Sequence, residues 1–475
     1  MNGSEIAGTD LSADSVKKGR TLSLDIEKLA FGGRGLARVG GMVVFVDHAL
    51  PGDRVSAVIT RKRKGYAEAR LVEIIRPSSF RITPECCYHG YCGGCRLQTL
   101  DYSMQLEYKR QQVAETLAHI ALMDEVAVNP VIPSEPVFGY RNKMEFSFSD
   151  RRWLLPEEMG SGGVDAGFAL GLHVPGTFYK VLDTKRCLLM PELGNLILED
   201  VRTYVKKSGV PVYGLRTHKG FWRFLMLRYS VAMDNWMVNI VTATEEIPVV
   251  MPLADMLFDK YGKVVSVVNN ITASKAGVAL GEREINLRGD PFIVEKLGRF
   301  RFEVSANSFL QTNTRAAVRL YDVVRKFAGL SGREKVVDLY SGIGTIAIWL
   351  SDSANEVIGL ESNPSCVSDA EKNRELNGVK NVKFMAGDVK ATLSSLGNSR
   401  EVMVIDPPRA GMHQKVVKQV MEMGPRTIVY VSCNPATLAR DIGMLKDGYM
   451  VAEVQPVDMF PHTFHIETVV RLVKR

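Results

Sequence analysis

A short strand that runs into a glycine turn constrains the fold of this chain more than any other segment. Residues 334–345 join an apolar, β-branched run to a Gly342-x-Gly344 turn, and an apolar, helix-like segment follows. Glycines at such a turn let the backbone approach a ligand closely. The next apolar run ends at Glu361, about 20 residues further on, where a carboxylate can bond the ribose hydroxyls of an adenosine cofactor. The pattern predicts a nucleotide-binding βαβ unit.

Three further polar residues follow predicted strands: Asp388, Asp406 and Cys433. Because the carboxyl ends of parallel strands meet at one edge of a sheet, these side chains are expected to share one cleft with Glu361. An isolated cysteine is more often a small buried hydrophobe, so its neighbours decide how Cys433 is interpreted. The glycine turn also fits a dinucleotide fingerprint, which leaves a dehydrogenase open. Asp338 favours a cationic sulfonium ligand over an anionic pyrophosphate.

Three motifs around these residues resemble one family. They are Asp-Pro-Pro-Arg at 406–409, Val-Ser-Cys-Asn-Pro at 431–435 and Phe-Pro-His-Thr-Phe-His-Ile-Glu at 460–467. They are similar to motifs of the RNA uracil-C5 methyltransferases, which use S-adenosylmethionine to make 5-methyluridine, and the resemblance covers the chain from about Lys17 onward. It implies a nucleophile at Cys433, a base at Glu467 and cofactor contacts from Gln311, Tyr340, Glu361 and Asp406. Thr345 and Ser341 depart from the family's usual asparagine and cysteine.

The chemistry of that reaction explains why a thiol and a carboxylate are needed. Uracil C5 is a poor nucleophile until a thiolate has added to C6. A cysteine has a pKa of about 8.5, so a neighbouring cation is expected to favour the thiolate, and Arg409 and Arg440 are candidates. After methyl transfer a base must remove the C5 proton, and Glu467 is predicted to do so.

Four of the seven cysteines form a pattern typical of a metal site. Cys86, Cys92 and Cys95 follow C-x5-C-Gly-Gly-C spacing, and Cys187 is a distant fourth candidate. In a chain without a secretory signal, such clustering favours metal over disulfides. Spacing alone leaves zinc possible. The family resemblance implies a [4Fe-4S] cluster on these four cysteines.

The N-terminal region predicts an RNA-binding barrel. Short alternating strands from Thr21 onward are separated by glycine-rich turns, which is typical of a small β-barrel. Residues 31–38 and 61–65 resemble a TRAM domain, an OB-like RNA-binding module. Basic residues here and in the aromatic segment 138–146, predicted as a strand, are candidate RNA contacts: Arg34, Arg38, Lys62, Arg63, Arg141 and Lys143. A solvated hairpin tip or a half-exposed strand would have the same composition.

These observations predict a multidomain α/β protein. We expect a TRAM barrel at 16–76, an α+β iron-sulfur and RNA-binding central domain at 77–300, and a Rossmann-like S-adenosylmethionine methyltransferase core at 301–475. A helix over Asp101–Met123, within about 96–128, is expected by resemblance to pack on the catalytic domain. Net charge is only +7, from 60 basic and 53 acidic residues, so RNA binding must rest on local patches. No apolar run approaches a membrane span and no targeting segment is recognised, which predicts a soluble, cytoplasmic protein and, in our interpretation, a monomer.

The predicted activity is C5 methylation of a uridine in 23S rRNA, in a loop or bulge from which the base can leave its stack. The barrel and cluster favour 23S rRNA, while a tRNA uracil-C5 methyltransferase remains an alternative. An adenine-N6 methyltransferase would place an aromatic residue after Asp-Pro-Pro, where Arg409 stands. A non-catalytic iron-sulfur RNA-binding regulator would not need Cys433 and Glu467 together.

Overall fold

A computed structural model describes residues 13–123, 125–159, 163, 165–396 and 401–475. The chain divides into two compact units. The first unit comprises the residues up to Gly90 together with Cys95–Gln112 and His462–Phe464; the second comprises Tyr91–Gly94, Val113–Pro461 and His465–Arg475. No helix in the described part of the chain is long and apolar enough to cross a membrane.

The first unit contains the predicted barrel. A short 3-10 turn at Ala13–Ser15 precedes six strands, β1 (Thr21–Asp25), β2 (Lys28–Ala30), β3 (Arg34–Val39), β4 (Met42–Asp47), β5 (Arg54–Lys62) and β6 (Tyr66–Arg76). They form one sheet in the order β1-β5-β6-β4-β3-β2. Alternate residues of β5 are buried, as expected for strands with one face on a core. Val44, Val46 and Val55 belong to that core.

The middle of the chain begins with helix α1 (Tyr102–Ala121), which lies within the helix predicted over Asp101–Met123. The following elements are β7 (Lys143–Ser149), β8 (Arg152–Trp153), β9 (Ala169–Gly171), β10 (Val181–Leu182), α2 (Glu192–Ser208), β11 (Trp222–Ser230), β12 (Asn235–Thr242), α3 (Ile247–Lys260), β13 (Val264–Ile271) and β14 (Arg283–Gly289). A 3-10 turn spans Pro156–Glu158. Six strands pair in the order β14-β13-β12-β11-β7-β9, and β8 pairs with β10. The strand predicted within 138–146 begins only at Lys143, because the backbone N–H groups of Gly139 and Arg141 bond the carbonyls of Leu188 and Leu189 instead.

The last part of the chain is a doubly wound α/β layer. Its elements are β15 (Phe292–Leu297), β16 (Phe300–Ser305), α4 (Thr314–Ala328), β17 (Lys335–Leu339), α5 (Thr345–Leu350), β18 (Glu356–Glu361), α6 (Pro364–Leu376), β19 (Val382–Ala386), α7 (Val389–Thr392), β20 (Val402–Ile405), α8 (Gln414–Met423), β21 (Thr427–Ser432), α9 (Pro435–Leu445), β22 (Tyr449–Val457) and β23 (Glu467–Lys474). A 3-10 turn at Leu393–Leu396 follows α7. Seven strands pair in the order β19-β18-β17-β20-β21-β23-β22, and β15 and β16 form a hairpin.

This strand order determines where ligands can bind. The chain leaves β17 for β18 on one side and later returns with β20 on the other, and the three strands are parallel. Open α/β sheets bind ligands at such a switch point, beyond the carboxyl ends of the strands. The predicted glycine turn, Glu361 and Asp406 all lie at this edge. The domain boundaries at 76 and 300, and the packing of α1 on the catalytic domain, stay predictions.

Candidate active site

One cavity of about 730 Å³ opens at the carboxyl ends of β17, β18, β20 and β21 in the second unit. The sheet places it at the switch point described above, where sequence patterns predicted the ligand. The cavity is lined by residues that the sequence had singled out, among them Arg141, Gln311, Asp338, Tyr340, Glu361, Asp406, Arg409, Cys433 and Glu467.

Strand register brings Cys433 and Glu467 together. β21 pairs with β23 antiparallel, and Ser432 lies opposite Thr468. One step further along the pair, Cys433 therefore falls opposite Glu467. Asn434 then caps helix α9, since its side chain accepts a hydrogen bond from the backbone N–H of Ala436 at 3.1 Å. A thiol at the end of β21 and a carboxyl at the start of β23 thus face one cavity from neighbouring strands.

The charge around Cys433 opposes thiolate formation in the free protein. Burial and the negative charge of Glu467 raise the pKa of the Cys433 thiol to about 11, and the Arg409 guanidinium opposes that rise. The Nη2 of Arg409 lies 3.4 Å from the Nδ1 of His465. Arg440, the other candidate cation, instead bonds the carboxylate of Asp441 at 2.8 Å. Of the two arginines proposed from the sequence, Arg409 is the one in the cavity.

Glu467 and Asp406 are buried acids. Glu467 is only 4% exposed, and burial, followed by the charge of Asp406, raises the pKa of its carboxyl well above the usual range. Burial also raises the pKa of Asp406 to about 7. A carboxyl whose pKa is raised in this way can hold or accept a proton near neutral pH.

The other end of the cavity suits a cationic nucleoside ligand. The buried hydroxyl of Ser341 has no hydrogen-bond partner among the described residues. The buried carboxyl of Asp338 is approached by the backbone N–H of Ala347 and by no other described donor. Burial and the charge of Asp406 raise the pKa of Asp338 well above the usual range. The carboxylate of Glu361 accepts hydrogen bonds from the backbone N–H groups of Gly342 at 3.1 Å and Asn363 at 2.8 Å. A bound cation would relieve the repulsion between these acids.

The loop that carries Gln311 is tied to the segment before β7. The side-chain amide of Asn142 donates to the carbonyl of Gln311 and to the hydroxyl of Thr314, both at 2.9 Å. The backbone N–H of Asn142 donates to the carbonyl of Thr312 at 2.9 Å. The side-chain amide of Asn313 donates to the carbonyl of Met459 at 3.1 Å. Gln311 therefore has a fixed backbone at the wall of the cavity.

Two predicted cofactor residues differ in their placement. Tyr340 lies in the cavity with a φ of 66°, in the left-handed region, directly before the glycine turn. Asp388 is not among the cavity-lining residues; its side chain caps α7 by accepting from the backbone N–H of Lys390 at 2.8 Å. The charge of Asp388 nevertheless contributes to raising the pKa of Tyr340, after burial and Asp441, so the two side chains are neighbours.

The four predicted cluster ligands divide between the two units. Cys86 and Cys95 belong to the first unit, and Cys92 and Cys187 to the second. The thiol of Cys86 accepts from the backbone N–H groups at positions 88 and 89, and that of Cys92 from Gly94 at 3.4 Å. Across the described residues, no three His, Cys, Asp or Glu side chains are grouped to hold a metal ion. The [4Fe-4S] cluster on these four cysteines stays a prediction.

The predicted RNA contacts differ in how available they are. Arg38, Lys62 and Arg63 are exposed on the barrel. Arg34 is half-buried between the carboxylate of Glu68, at 3.4 Å, and the ring of Phe45. Lys143 forms an ion pair with Glu145 at 2.6 Å, and burial lowers its pKa. The exposed barrel side chains therefore stay candidate phosphate contacts, whereas Lys143 is engaged within the protein.

Three aromatic residues of the cavity were not predicted from the sequence: Phe309, Tyr321 and Phe460. Phe309 is 60% exposed and lies two residues before Gln311. The alternation of side chains along that loop was therefore the sequence signal that could have identified it as a cavity residue. The hydroxyl of Tyr321 lies 3.1 Å from that of Thr345, so Thr345, which departs from the family pattern, still reaches the cavity.

The sheet order, the glycine turn and the acidic cavity define the class: this is a Rossmann-like, S-adenosylmethionine-dependent methyltransferase. A family model described as tRNA (Uracil-5-)-methyltransferase matches residues 282–475. A TRAM domain model matches residues 15–72, which confirms the predicted TRAM domain.

Similar proteins extend this over nearly the whole chain. An uncharacterized RNA methyltransferase of Porphyromonas gingivalis is 38% identical over 468 residues, which cover 95% of this chain and 99% of that protein. One from Chlorobaculum tepidum is 42% identical over 440 residues, covering 90% and 91%. The crystal structure of Pyrococcus abyssi tRNA (uracil-54, C5)-methyltransferase in complex with S-adenosyl-L-homocysteine is 29% identical, with a TM-score of 0.74 over 95% of this chain and 100% of that one. The chain belongs to the RNA uracil-C5 methyltransferase family, and it is an enzyme that methylates RNA.

Proposed function

We propose that this enzyme methylates C5 of a uridine in 23S rRNA, with Cys433 as nucleophile and Glu467 as base. One observation carries the assignment: the register of β21 and β23 places these two side chains opposite each other in the cavity that also holds the acidic cofactor end. A reaction that needs a thiolate on C6 and a base at C5 of one ring requires that proximity.

The reaction proposed for Cys433 and Glu467 has three steps. The Cys433 sulfur forms a bond to C6, and the electrons of the C5=C6 bond move onto C5 and O4 as an enolate. S-adenosylmethionine, when bound, would supply an electrophilic methyl group, so that the C5–methyl bond forms as the methyl–sulfur bond breaks and S-adenosylhomocysteine is the leaving group. The carboxylate of Glu467 then takes the C5 proton, the C5=C6 bond reforms, and the C6–S bond breaks to return the thiolate.

Arg409 is proposed to favour the thiolate. Arg409 opposes the rise in the Cys433 pKa, and its placement is fixed at the backbone, since its carbonyl accepts from the side chains of Asn434 and Thr437, both at 3.2 Å. Its side chain reaches His465 in the same cavity. We assign the orienting of this guanidinium to His465.

The cofactor contacts are assigned from the charge of the side chains at the acidic end of the cavity. The carboxylate of Glu361 is proposed to bond ribose hydroxyls, and Asp406 is proposed to face the cationic sulfur together with Asp338, for which the sequence already favoured a sulfonium ligand. Gln311 and Tyr340 are proposed as further contacts because both line the same cavity. Asp388 stays a proposed contact at its edge.

The test follows RNA and protein together. Purified enzyme is incubated with methyl-labelled S-adenosylmethionine and unmodified RNA, and label is mapped to the nucleotide. We expect Cys433→Ala to abolish transfer. Glu467→Gln should still add to C6 and methylate C5 but release product slowly, so a methyl-labelled protein–RNA adduct should accumulate on a denaturing gel. Normal turnover by Cys433→Ala, or loss of adduct in Glu467→Gln together with loss of transfer, would contradict the assigned roles.

The RNA substrate is a separate proposal. The TRAM barrel together with the four-cysteine pattern favours 23S rRNA, by resemblance. The similarity to a tRNA (uracil-54, C5)-methyltransferase of known structure keeps tRNA as the second candidate. Labelling total RNA and separating the rRNA from the tRNA decides between them, since label in tRNA alone would overturn the rRNA assignment. We also propose the basic barrel side chains Arg34, Arg38, Lys62 and Arg63, with Arg141 and Lys143, as RNA contacts.

We further propose, from the sequence pattern, a [4Fe-4S] cluster on Cys86, Cys92, Cys95 and Cys187. Backbone N–H groups that donate to the sulfurs of Cys86 and Cys92 are compatible with it, because such bonds are usual around cluster thiolates. Anaerobic purification followed by iron, sulfide and zinc analysis tests the proposal. Iron and sulfide near four atoms each would support it, and stoichiometric zinc or no metal would overturn it. No step of the reaction above uses the cluster. The monomeric state, testable by light scattering, stays a prediction.

A further inference from the structure

A hairpin in the second unit presents an aromatic tip to solvent. Its ends are joined by a bridge between His173 and Val181, and the backbone N–H of Val174 donates to the carbonyl of Lys180 at 3.0 Å. At the tip, Phe178 is 68% exposed and meets the ring of Tyr179 edge-on, with centroids 5.3 Å apart. An exposed phenylalanine held on a hairpin has a ring face available to a ligand.

Cations cover the neighbouring rings. The guanidinium of Arg216 lies 3.7 Å from the ring centroid of Tyr179, and the Nζ of Lys180 lies 4.0 Å from that of Trp153. We call Trp153, Phe178, Tyr179, Lys180 and Arg216 the aromatic platform. It combines three rings with two positive charges on one small surface.

No ion pair formed by the described residues neutralises these two charges. Among the described residues, neither Lys180 nor Arg216 has a carboxylate within 4.0 Å. Arg299 offers the contrast, because it also stacks on a ring, that of Phe300 at 4.5 Å, but its Nε bonds the carboxylate of Asp352 at 2.7 Å. An unpaired cation beside a stacking surface suits a polyanion whose bases have π faces.

We propose that the aromatic platform binds single-stranded RNA of the substrate, with bases stacked on Phe178 and phosphates near Lys180 and Arg216. The proposal rests on the RNA substrate of the proposed function and adds a second contact region to it. It differs from the barrel turns and from the cavity, and no residue of the platform was predicted from the sequence.

The position of the platform along β7 indicates which nucleotides it reaches. The Oγ of Ser147 on β7 lies 2.8 Å from the Nε2 of His173 at the base of the hairpin. Lys143, where β7 begins, is four residues before Ser147, and a strand rises about 3.3 Å per residue, so these two positions are roughly 13 Å apart. Arg141, which lines the cavity, lies two residues before the start of the strand. The platform therefore contacts nucleotides flanking the target uridine, whereas the uracil itself enters the cavity.

The test measures binding without turnover. A fluorescein-labelled oligouridylate of about 12 nucleotides, within the usual site size, is titrated with the full-length enzyme at several salt concentrations. We expect Phe178→Leu to weaken binding roughly 5- to 150-fold, the range for loss of one stacked base, and Phe178→Tyr to retain it. Arg216→Ala should reduce the slope of log affinity against log salt by about 0.7, the value for one phosphate contact to a single strand.

Arg299→Ala is the matched control. It removes an exposed arginine stacked on a ring but paired with an acid, and we expect its affinity and salt slope to equal those of the parent enzyme. S-adenosylhomocysteine affinity, measured on each variant, reports that the fold is intact. Parental RNA affinity and salt slope in both Phe178→Leu and Arg216→Ala would overturn the platform, as would an equal loss in Arg299→Ala.

A separate measurement tests the proposed reaction independently of the aromatic platform. Cys433→Ala should bind the oligouridylate as tightly as the parent while transferring no methyl group. Failure of the platform variants to change binding would leave that result untouched, and methyl transfer by Cys433→Ala would overturn the mechanism while leaving the platform in place.

Discussion

Asn142 offers the sharpest test of how the cavity wall is held. It is 4% exposed, and its side-chain amide spans two groups of the loop after β16, the carbonyl of Gln311 and the hydroxyl of Thr314. In Asn142→Ala both bonds are lost. The backbone bond from Asn142 to the carbonyl of Thr312 remains, and Thr314 still donates to Glu295 at 2.8 Å, so the loop loosens without losing all its anchors.

The magnitude follows from the number of bonds. A buried intramolecular hydrogen bond contributes about 0.5–1.5 kcal/mol net, so two lost bonds should reduce the free energy of unfolding by about 1–3 kcal/mol. In the variant, ligand binding must also order the loop around Gln311. If this ordering costs the free energy of about one such hydrogen bond, the affinity for S-adenosylhomocysteine should fall roughly 3- to 10-fold.

The chain contains a closely matched control. Asn269 is also fully buried, and its side-chain amide donates to the carbonyl of Ile240 at 2.8 Å and the hydroxyl of Thr242 at 3.0 Å, in the central sheet. Asn269→Ala should lose similar stability but retain parental affinity. Denaturant unfolding and calorimetric titration with S-adenosylhomocysteine measure the two quantities. Equal affinity in both variants would refute the positioning of Gln311 by Asn142, and parental affinity in Gln311→Ala would instead refute Gln311 as a cofactor contact.

Two further predictions concern charge. Arg409→Gln should raise the pKa of Cys433 further, because the guanidinium of Arg409 lowers it in the parent enzyme. Alkylation of Cys433 by iodoacetamide at pH 8, followed by peptide mass spectrometry, should therefore be slower. Arg440→Gln is the control and should leave that rate unchanged, because Arg440 bonds Asp441. In the barrel, the buried carboxylate of Asp53 accepts from the backbone N–H groups of Leu50 at 2.7 Å and Ser78 at 2.8 Å and from the guanidinium of Arg81. Asp53→Asn removes the charge and one of the acceptor oxygens, so it should lower the free energy of unfolding by about 1–3 kcal/mol, measured by denaturant titration. An unchanged midpoint would contradict the role of these bonds.

Local sequence patterns predicted where individual strands end, but not which distant segments of the chain lie beside them. The β-branched run before Cys433 and the acid after β18 could be placed because strand period and glycine turns act over a few residues. Glu467 was assigned by a motif, and its physical reason is the antiparallel insertion of β23 beside β21, which no local pattern encodes. Asn142 was missed for the same reason, since its partner Gln311 is 169 residues away in sequence.

Composition also could not distinguish the cations that pair with acids within the protein from those that a ligand can reach. Lys143 and Arg34 have the same residue types as good RNA contacts, yet the structure pairs them with Glu145 and Glu68. Arg216 gave no signal in the sequence, because its significance lies in a ring brought to it by another segment of the chain. Whether a surface cation is free depends on tertiary neighbours, and those neighbours are fixed only once the sheet has formed.

The acidic end of the cavity links cofactor charge to the thiol. The negative charge of Asp406 is one of the causes that raise the pKa of Cys433, and Asp406 itself, with a pKa of about 7, is mostly ionised at pH 8. A cationic ligand beside Asp406 should therefore lower the pKa of Cys433, whereas a neutral ligand of the same size should not. Sinefungin carries an ammonium group at the position of the transferred methyl group, where S-adenosylhomocysteine has none and its neighbouring sulfur is neutral, so the two ligands are close in size but differ in charge. At pH 8 and saturating ligand, alkylation of Cys433 should be faster with sinefungin than with S-adenosylhomocysteine, and Asp406→Asn should reduce the difference. Equal rates with the two ligands would show that the acids of the cavity do not transmit the charge of the cofactor to the nucleophile.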